Sequence, residues 1–279
     1  MEPHPDKISV YYGETIGFRP GLRSITGVKI IINNNVKKIH KKAMSRQYNL
    51  SQVEFQTPCI LRVIESHAFC GCSNLLIIEL PEGLDKIEDS AFATCRKLRY
   101  ITLPSTLTYI GENAFYDCCL RSDLRLPSRL QYIGDHAFGG ANIFRSMVTL
   151  PRTLVEINSK VFGDSTVHEH DMLENQVFQL MRLPRYSLKV LSLAAHYQYF
   201  SDCEQKLRTC KVINMINALA ENNTIEQLDL SCNLFNDIQM KKIMKVLHKC
   251  PKLKKIILNH NKFTSTEFLL AGKDNQSRI

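Results

Sequence analysis

The chain has 279 residues, 44% of them hydrophobic and 23% charged, with 36 basic against 27 acidic side chains and a net charge of +9. That is the balance of a soluble folded protein, and it excludes wholesale disorder. No window approaches 18 consecutive apolar residues, and Glu2, Asp6, Lys7, Glu14 and Arg19 interrupt the first turns of sequence, so neither a transmembrane segment nor a signal peptide is expected.

The basic surplus lies at the two ends: residues 1–60 hold nine Lys/Arg and four Asp/Glu, residues 61–163 hold eleven of each, and residues 164–279 hold sixteen and twelve. A surplus spread in this way permits weak electrostatic contact with acidic surfaces but mainly serves solubility, and nucleic acid is not expected as a partner.

In chain order, residues 1–27, with Ile8, Val10 and Tyr12, read as a cap, because a terminal coil has to cover an open apolar end. Lys29-Ile30-Ile31-Ile32 is the first expected strand, which makes 1–35 the cap and first strand. From Leu61 a 23-residue period begins: LRVIESHAFCGCSNLLIIELPEG, LDKIEDSAFATCRKLRYITLPST from Leu84, and LTYIGENAFYDCCLRSDLRLPSR from Leu107. A fourth copy starts at Leu130 and a fifth at Leu154, while Val36, Ile39, Ala43, Met44, Val53 and Phe55 fill the same slots in a degenerate earlier copy. Each unit ends in L-x-x-I-x-L-P, where Ile and Leu two apart face one side of an extended strand and proline stops the ladder. Stacking such units at about 4.8 Å buries a face that one unit cannot bury alone. The columns Phe69, Phe92, Phe115, Phe138 and Ile64, Ile87, Ile110, Ile133 should be ladders within that core. Arg121 occupies the slot of Leu75 and Leu98, so its coil is expected to be distorted.

The pattern L-x-x-I-G-x-x-A-F-x-x-C-x-x-L-x-x-I-x-L-P resembles the BspA-type leucine-rich repeat. The resemblance implies a right-handed parallel solenoid used for protein binding, common in surface-associated and secreted proteins of bacteria and protists.

Residues 165–187, with Leu173, Val177, Leu180 and Met181 at helical spacing, are expected to form a connector after the first array at 36–164. Beyond it, Leu188-x-x-Leu191-x-Leu193, then Ile225 through Leu228-Asp229-Leu230 with Asn233, then Leu253 through Ile256-Ile257-Leu258 with Asn261, mark a second repeat over 188–279. Ile238, Ile243, Val246 and Leu247 between the last two strands carry helical spacing. This segment is similar to ribonuclease-inhibitor-type leucine-rich repeats, which implies alternating strand and helix with a buried Asn in the turn. The expected fold class is therefore an α/β repeat solenoid with a parallel sheet on its concave face, short strands and turns opposite it N-terminally, and helices opposite it C-terminally.

Ten cysteines invite a metal or disulfide reading, but Cys72, Cys95 and Cys118 share one column that becomes Ala141, the mark of a small apolar slot. Neither Cys70-Gly71-Cys72 nor Cys118-Cys119 has zinc spacing, and His168-Glu169-His170-Asp171 lacks a third ligand, so no metal and no cofactor are expected. Phosphate-loop, nucleophile-elbow and metalloprotease motifs are absent from the sequence, which leaves an enzyme reading without residues. Two lysine-rich runs remain, Lys37 to Arg46 and Lys241 to Lys255.

Residues flanking the strand isoleucines point away from the core. One concave strip is thus expected through Gln52, Glu54, Ile77, Glu79, Tyr100, Thr102, Asp123, Arg125, Met147 and Thr149, continuing through Val190, Ser192, Gln227, Asp229, Lys255 and Ile257. Ile77, Tyr100 and Met147 ringed by charge have the composition of a protein-binding patch. The sequence reads as a non-enzymatic scaffold that binds a protein partner, cytoplasmic or nuclear for want of a signal peptide; the alternative is a surface-antigen or adhesion protein reaching the cell surface by another route.

Overall fold

The 23-residue coil closes because three stretches of each unit bond to the neighbouring coil, and the apolar columns fill the space between them. The computed structural model describes residues 8–11, 15–16, 29–120, 124–140, 150–158, 161, 188–194, 212–214, 216–217, 219 and 223–265. They fall in two compact units, Met1–Pro151 with Lys160–Gly163, and Arg152–Ser159 with Asp164–Ile279.

In the first unit the strands β1 (Ile8–Tyr11), β3 (Lys29–Ile32), β5 (Gln52–Phe55), β7 (Ile77–Glu79) and β9 (Tyr100–Thr102) form a five-stranded sheet in the order β1-β3-β5-β7-β9. Every pair is parallel, with Lys29 opposite Gln52, Gln52 opposite Ile77, and Ile77 opposite Tyr100. Two-residue strands β2 (Thr15–Ile16), β4 (Lys38–Ile39), β6 (Val63–Ile64), β8 (Lys86–Ile87), β10 (Tyr109–Ile110) and β11 (Tyr132–Ile133) build a second parallel wall. Their isoleucines, Ile39 to Ile133, are buried as one column.

The third wall is a turn. His67, Ser90, Asn113 and His136 take φ of 60°, 56°, 54° and 52°, and Gly71, Thr94, Asp117 and Gly140, four residues later, take 76°, 58°, 55° and 69°. Interposing these left-handed residues among ordinary ones aims alternate N–H groups at the next coil: Ser90, Phe92 and Thr94 donate to the carbonyls of Glu112, Ala114 and Tyr116 at 2.7, 2.8 and 2.7 Å. Between the walls Phe69, Phe92, Phe115 and Phe138 stack with centroids 5.1, 5.4 and 5.5 Å apart and planes within 8°. At the glycine that follows the column isoleucine, a Cβ on Gly111 would stand 2.6 Å from the Asp89 nitrogen of the previous coil, so glycine is required there.

The coil of Arg121 departs from the pattern. Leu120, one residue early, is buried at 2% exposure and takes the core slot that the repeat assigns to position 121. The register slips, and Leu124 and Arg125, expected in a strand, are not in one; among the described residues the five-stranded sheet ends at β9.

In the second unit β12 (Glu156–Asn158), β13 (Val190–Ser192), β14 (Gln227–Asp229) and β15 (Lys255–Ile257) are parallel neighbours. Leu191 and Leu228 point into its core. Asn233 donates from Nδ2 to the carbonyls of Leu193, Leu230 and Ser231 at 2.9, 3.0 and 3.1 Å, and Asn261 repeats this toward Leu230 and Leu258 at 3.0 and 2.9 Å. Helix α1 (Asp237–Leu247) runs between β14 and β15, opened by a capping box in which Asn236 and Gln239 bond reciprocally. It buries Met240, Ile243, Met244 and Leu247, whereas Ile238, expected on the apolar face, is 68% exposed. Val212, Ile216 and Leu219 are helical and buried. The connector expected at 165–187 lies outside the described residues.

Candidate functional site at the open face of the five-stranded sheet

Period-two alternation sends Ile30, Ile32, Val53 and Ile78 into the core and leaves the residues between them on the outer face. Lys29, Gln52, Ile77 and Tyr100 therefore stand in one cross-strand row. Ile31 pairs with Glu54, and Glu79 with Thr102, in the row beside it. Glu54 is engaged by the Lys29 ammonium at 2.5 Å and by Gln52 Nε2 at 2.9 Å, so charge is matched at the β3–β5 end. Toward β9 the face turns apolar: Ile77 is half-buried, Leu76 is 43% exposed and Tyr100 is 44% exposed.

Where the sheet stops, a groove of about 440 Å³ opens between β9 and the slipped coil, lined by Arg99 to Leu103 together with Leu120, Leu124 and Arg125. Arg99 and Arg125 are exposed, and neither has a carboxylate partner among the described residues. An aromatic next to a strand edge, with two guanidinium groups that have no carboxylate partner among the described residues, is equipped to take up a partner chain with carboxylates.

The structure thus brings together Glu54, Ile77, Glu79, Tyr100, Thr102 and Arg125. Asp123, Met147 and Thr149 lie outside the described residues. Gln227, Asp229, Lys255 and Ile257 are elsewhere: they sit on β14 and β15 of the second unit, with Gln227 opposite Lys255 and Asp229 opposite Ile257. Those strands are not part of the five-stranded sheet. Asp229 is also occupied locally, accepting from the Ser231 N–H at 2.9 Å and from Ser192 Oγ at 3.4 Å. Sequence reasoning missed Leu76 and Arg99, although adjacent Leu75 and Leu76 carry a signal, since only one of the two can face the core.

In the first of the two lysine-rich runs, Lys38 is paired within the repeats. Glu65 takes Lys38 Nζ at 3.0 Å, His40 Nδ1 at 3.1 Å and the Lys41 N–H at 2.9 Å. Burial opposes its charge, but these donors prevail and hold its carboxyl down to about 2. His67 is held below its ordinary value by burial and by Lys42 and Lys41. Among the described residues no three His, Cys, Asp or Glu side chains are grouped to hold a metal, and His168-Glu169-His170-Asp171 lies outside them.

The family BspA type Leucine rich repeat region matches residues 37–169 in six copies. Residues 37–169 are BspA-type leucine-rich repeats. The ribonuclease-inhibitor type expected for the later repeats is not shown, because the family match stops short of them. Among solved structures, the chain is similar to the T. pallidum leucine rich repeat protein, at 25% identity over 58% of this chain and 73% of that one, with a TM-score of 0.43. A leucine rich cell surface protein from Faecalibacterium prausnitzii is 16% identical over 90% of this chain and 83% of its own, at 0.36. The pneumococcal vaccine antigen PcpA is 17% identical over 94% and 80%, also at 0.36. No curated protein matches the chain significantly. No helix among the described residues is long and apolar enough to cross a membrane.

Proposed function

We propose that this leucine-rich-repeat protein is a non-enzymatic binding module that takes a protein partner on the outer face of its five-stranded sheet. The observation that carries the reading is the register of Ile77 and Tyr100, neighbours across β7 and β9 on the outer face, with the Arg99/Arg125 groove beside them. Apolar and aromatic anchors in the centre with charge at the rim are the anatomy of a recognition patch. The test is amide hydrogen exchange of the full chain with and without a partner captured from the source cell. The reading expects added protection at residues 76–80 and 99–103; protection confined to other segments contradicts it.

The reading extends to display at a cell surface, with partner binding taking place there. The BspA-type repeats at 37–169 favour this, since that resemblance implies surface-associated and secreted proteins. The cytoplasmic or nuclear placement expected from the sequence has no support among the described residues. Surface labelling of intact cells followed by fractionation decides between them: a labelled chain supports display, and one labelled only after lysis overturns it.

A further inference from the structure

The second lysine-rich run lies on helix α1 and in the residues that follow it, and its lysines are exposed. Lys241, Lys242, Lys245 and Lys249 are exposed along α1 and its cap, and Lys252 and Lys255 continue the run, also exposed. The nearest acid on the helix, Asp237, is taken by the Thr264 and Ser265 N–H groups at 3.1 and 2.9 Å, and Glu226 is taken by Lys254 at 2.6 Å. Lys242, Lys245, Lys249, Lys252 and Lys255 have no carboxylate partner among the described residues.

Helical geometry gives Lys241, Lys242 and Lys245 a common direction. At about 100° and 1.5 Å per residue, Lys241 and Lys242 flank Ile238 one turn along the helix, and Lys245 follows on the same side two turns along. Ile238 is the exposed isoleucine of this helix, at 68%. An apolar tip followed by cations on the solvent face, with Met240, Ile243, Met244 and Leu247 buried on the opposite face, makes a basic surface with one apolar residue at its start.

We propose that this face of α1 docks on an anionic lipid membrane. Residues 236–262 contain seven lysines besides Lys254 and no arginine. Lysine is a mobile point charge suited to a fluid layer of headgroups, whereas reading a fixed carboxylate or phosphate in a partner favours the bidentate arginine fork. The same stretch contains no Phe, Tyr or Trp, so base stacking on nucleic acid has no platform there. A polybasic surface gains affinity lysine by lysine near anionic headgroups, and one apolar side chain adds insertion at the interface. This site is independent of the sheet face and does not rest on it.

The experiment is vesicle co-sedimentation of the full-length chain, with pure phosphatidylcholine vesicles and with phosphatidylcholine vesicles containing phosphatidylserine, at low and at physiological salt. The proposal expects binding to the anionic vesicles alone, weakening as salt rises. The triple change K241E/K245E/K249E should lower the partition coefficient roughly a hundredfold. Ile238→Ser should lower it several-fold, and Lys37→Glu with Lys41→Glu should leave it within about twofold. Circular dichroism melts check folding, and the milder triple change to Gln replaces the Glu variant should that one melt early. Failure to bind anionic vesicles, equal binding to pure phosphatidylcholine, undiminished binding by a folded triple variant, or binding to polyglutamate or duplex DNA in place of vesicles overturns the proposal.

Discussion

Cys95 donates its thiol hydrogen to the carbonyl oxygen of Phe69 at 3.2 Å, across a coil boundary. Cys72 does the same to Met44 at 3.1 Å and Cys118 to Phe92 at 3.2 Å. The cysteine column is thus more than a small apolar slot: each thiol serves a core carbonyl, as Phe69 O does in taking both this bond and the Cys72 N–H at 3.1 Å. Burial pushes the Cys95 and Cys118 thiols well above their ordinary range.

A chromogenic thiol reagent should therefore leave Cys72, Cys95 and Cys118 unmodified in the native protein at pH 8, because the thiolate is the reactive form and these three are buried. In denaturant without reductant the count should approach the ten cysteines of the chain, of which the eight described ones are free. A total of eight or fewer means a disulfide and contradicts the ladder of thiols.

Stability should be lost most sharply in the phenylalanine stack. Phe92 touches a ring on either side at 5.1 and 5.4 Å, so neither neighbour can collapse into the gap left by truncation. Phe92→Ala should cost about 3–5 kcal/mol in chemical denaturation, and Phe92→Leu clearly less. Equal losses for the two variants would show that the stack does not depend on the ring.

Acid should weaken the first unit in two stages whose signs follow from the titrating groups. His67 has a lowered value in the folded state, so the unfolded chain binds its proton first, and stability falls as pH drops through 6.5. Glu65 is also lowered, to about 2, so its contribution is present above 4.5 and lost between there and about 2. His67→Asn should flatten the first stage while keeping the turn, since Asn113 already holds the equivalent position at φ 54°. Glu65→Gln should flatten the second. Urea midpoints measured from pH 8 to pH 3 check both, and unchanged slopes in the variants would remove these groups from the account of acid stability.

Most of this fold is legible in the repeat. A 23-residue period fixes which residues share a column, and the columns of Ile, Phe and Cys are buried where the spacing places them. His67 and His136, which recur one residue ahead of Ala-Phe, are at left-handed φ. What periodicity could not convey was the consequence of breaking it: with Leu120 filling a slot one residue early, Leu124 and Arg125 are in no strand, and the groove beside β9 belongs to no repeat position. Nor could it say which sheet a later strand would join, because L-x-x-L-x-L looks alike in every wall. Ile238 misled for a similar reason: helical spacing groups apolar residues, but the capping box sets where the helix starts and turns that residue to solvent.

The outer face of the five-stranded sheet is most directly tested by the affinity of two folded variants for one captured partner. Ile77→Ser with Tyr100→Ser removes the two paired anchors without opening the core, since both side chains are at least partly exposed. The charge reversal at Lys241, Lys245 and Lys249 serves as the comparison. By calorimetric titration the face variant should bind about 2–4 kcal/mol more weakly than wild type. The lysine variant should keep its affinity for the partner within about 1 kcal/mol, with any change confined to the association rate. Wild-type affinity in the face variant together with lost binding in the lysine variant would contradict the assignment and move partner recognition to helix α1.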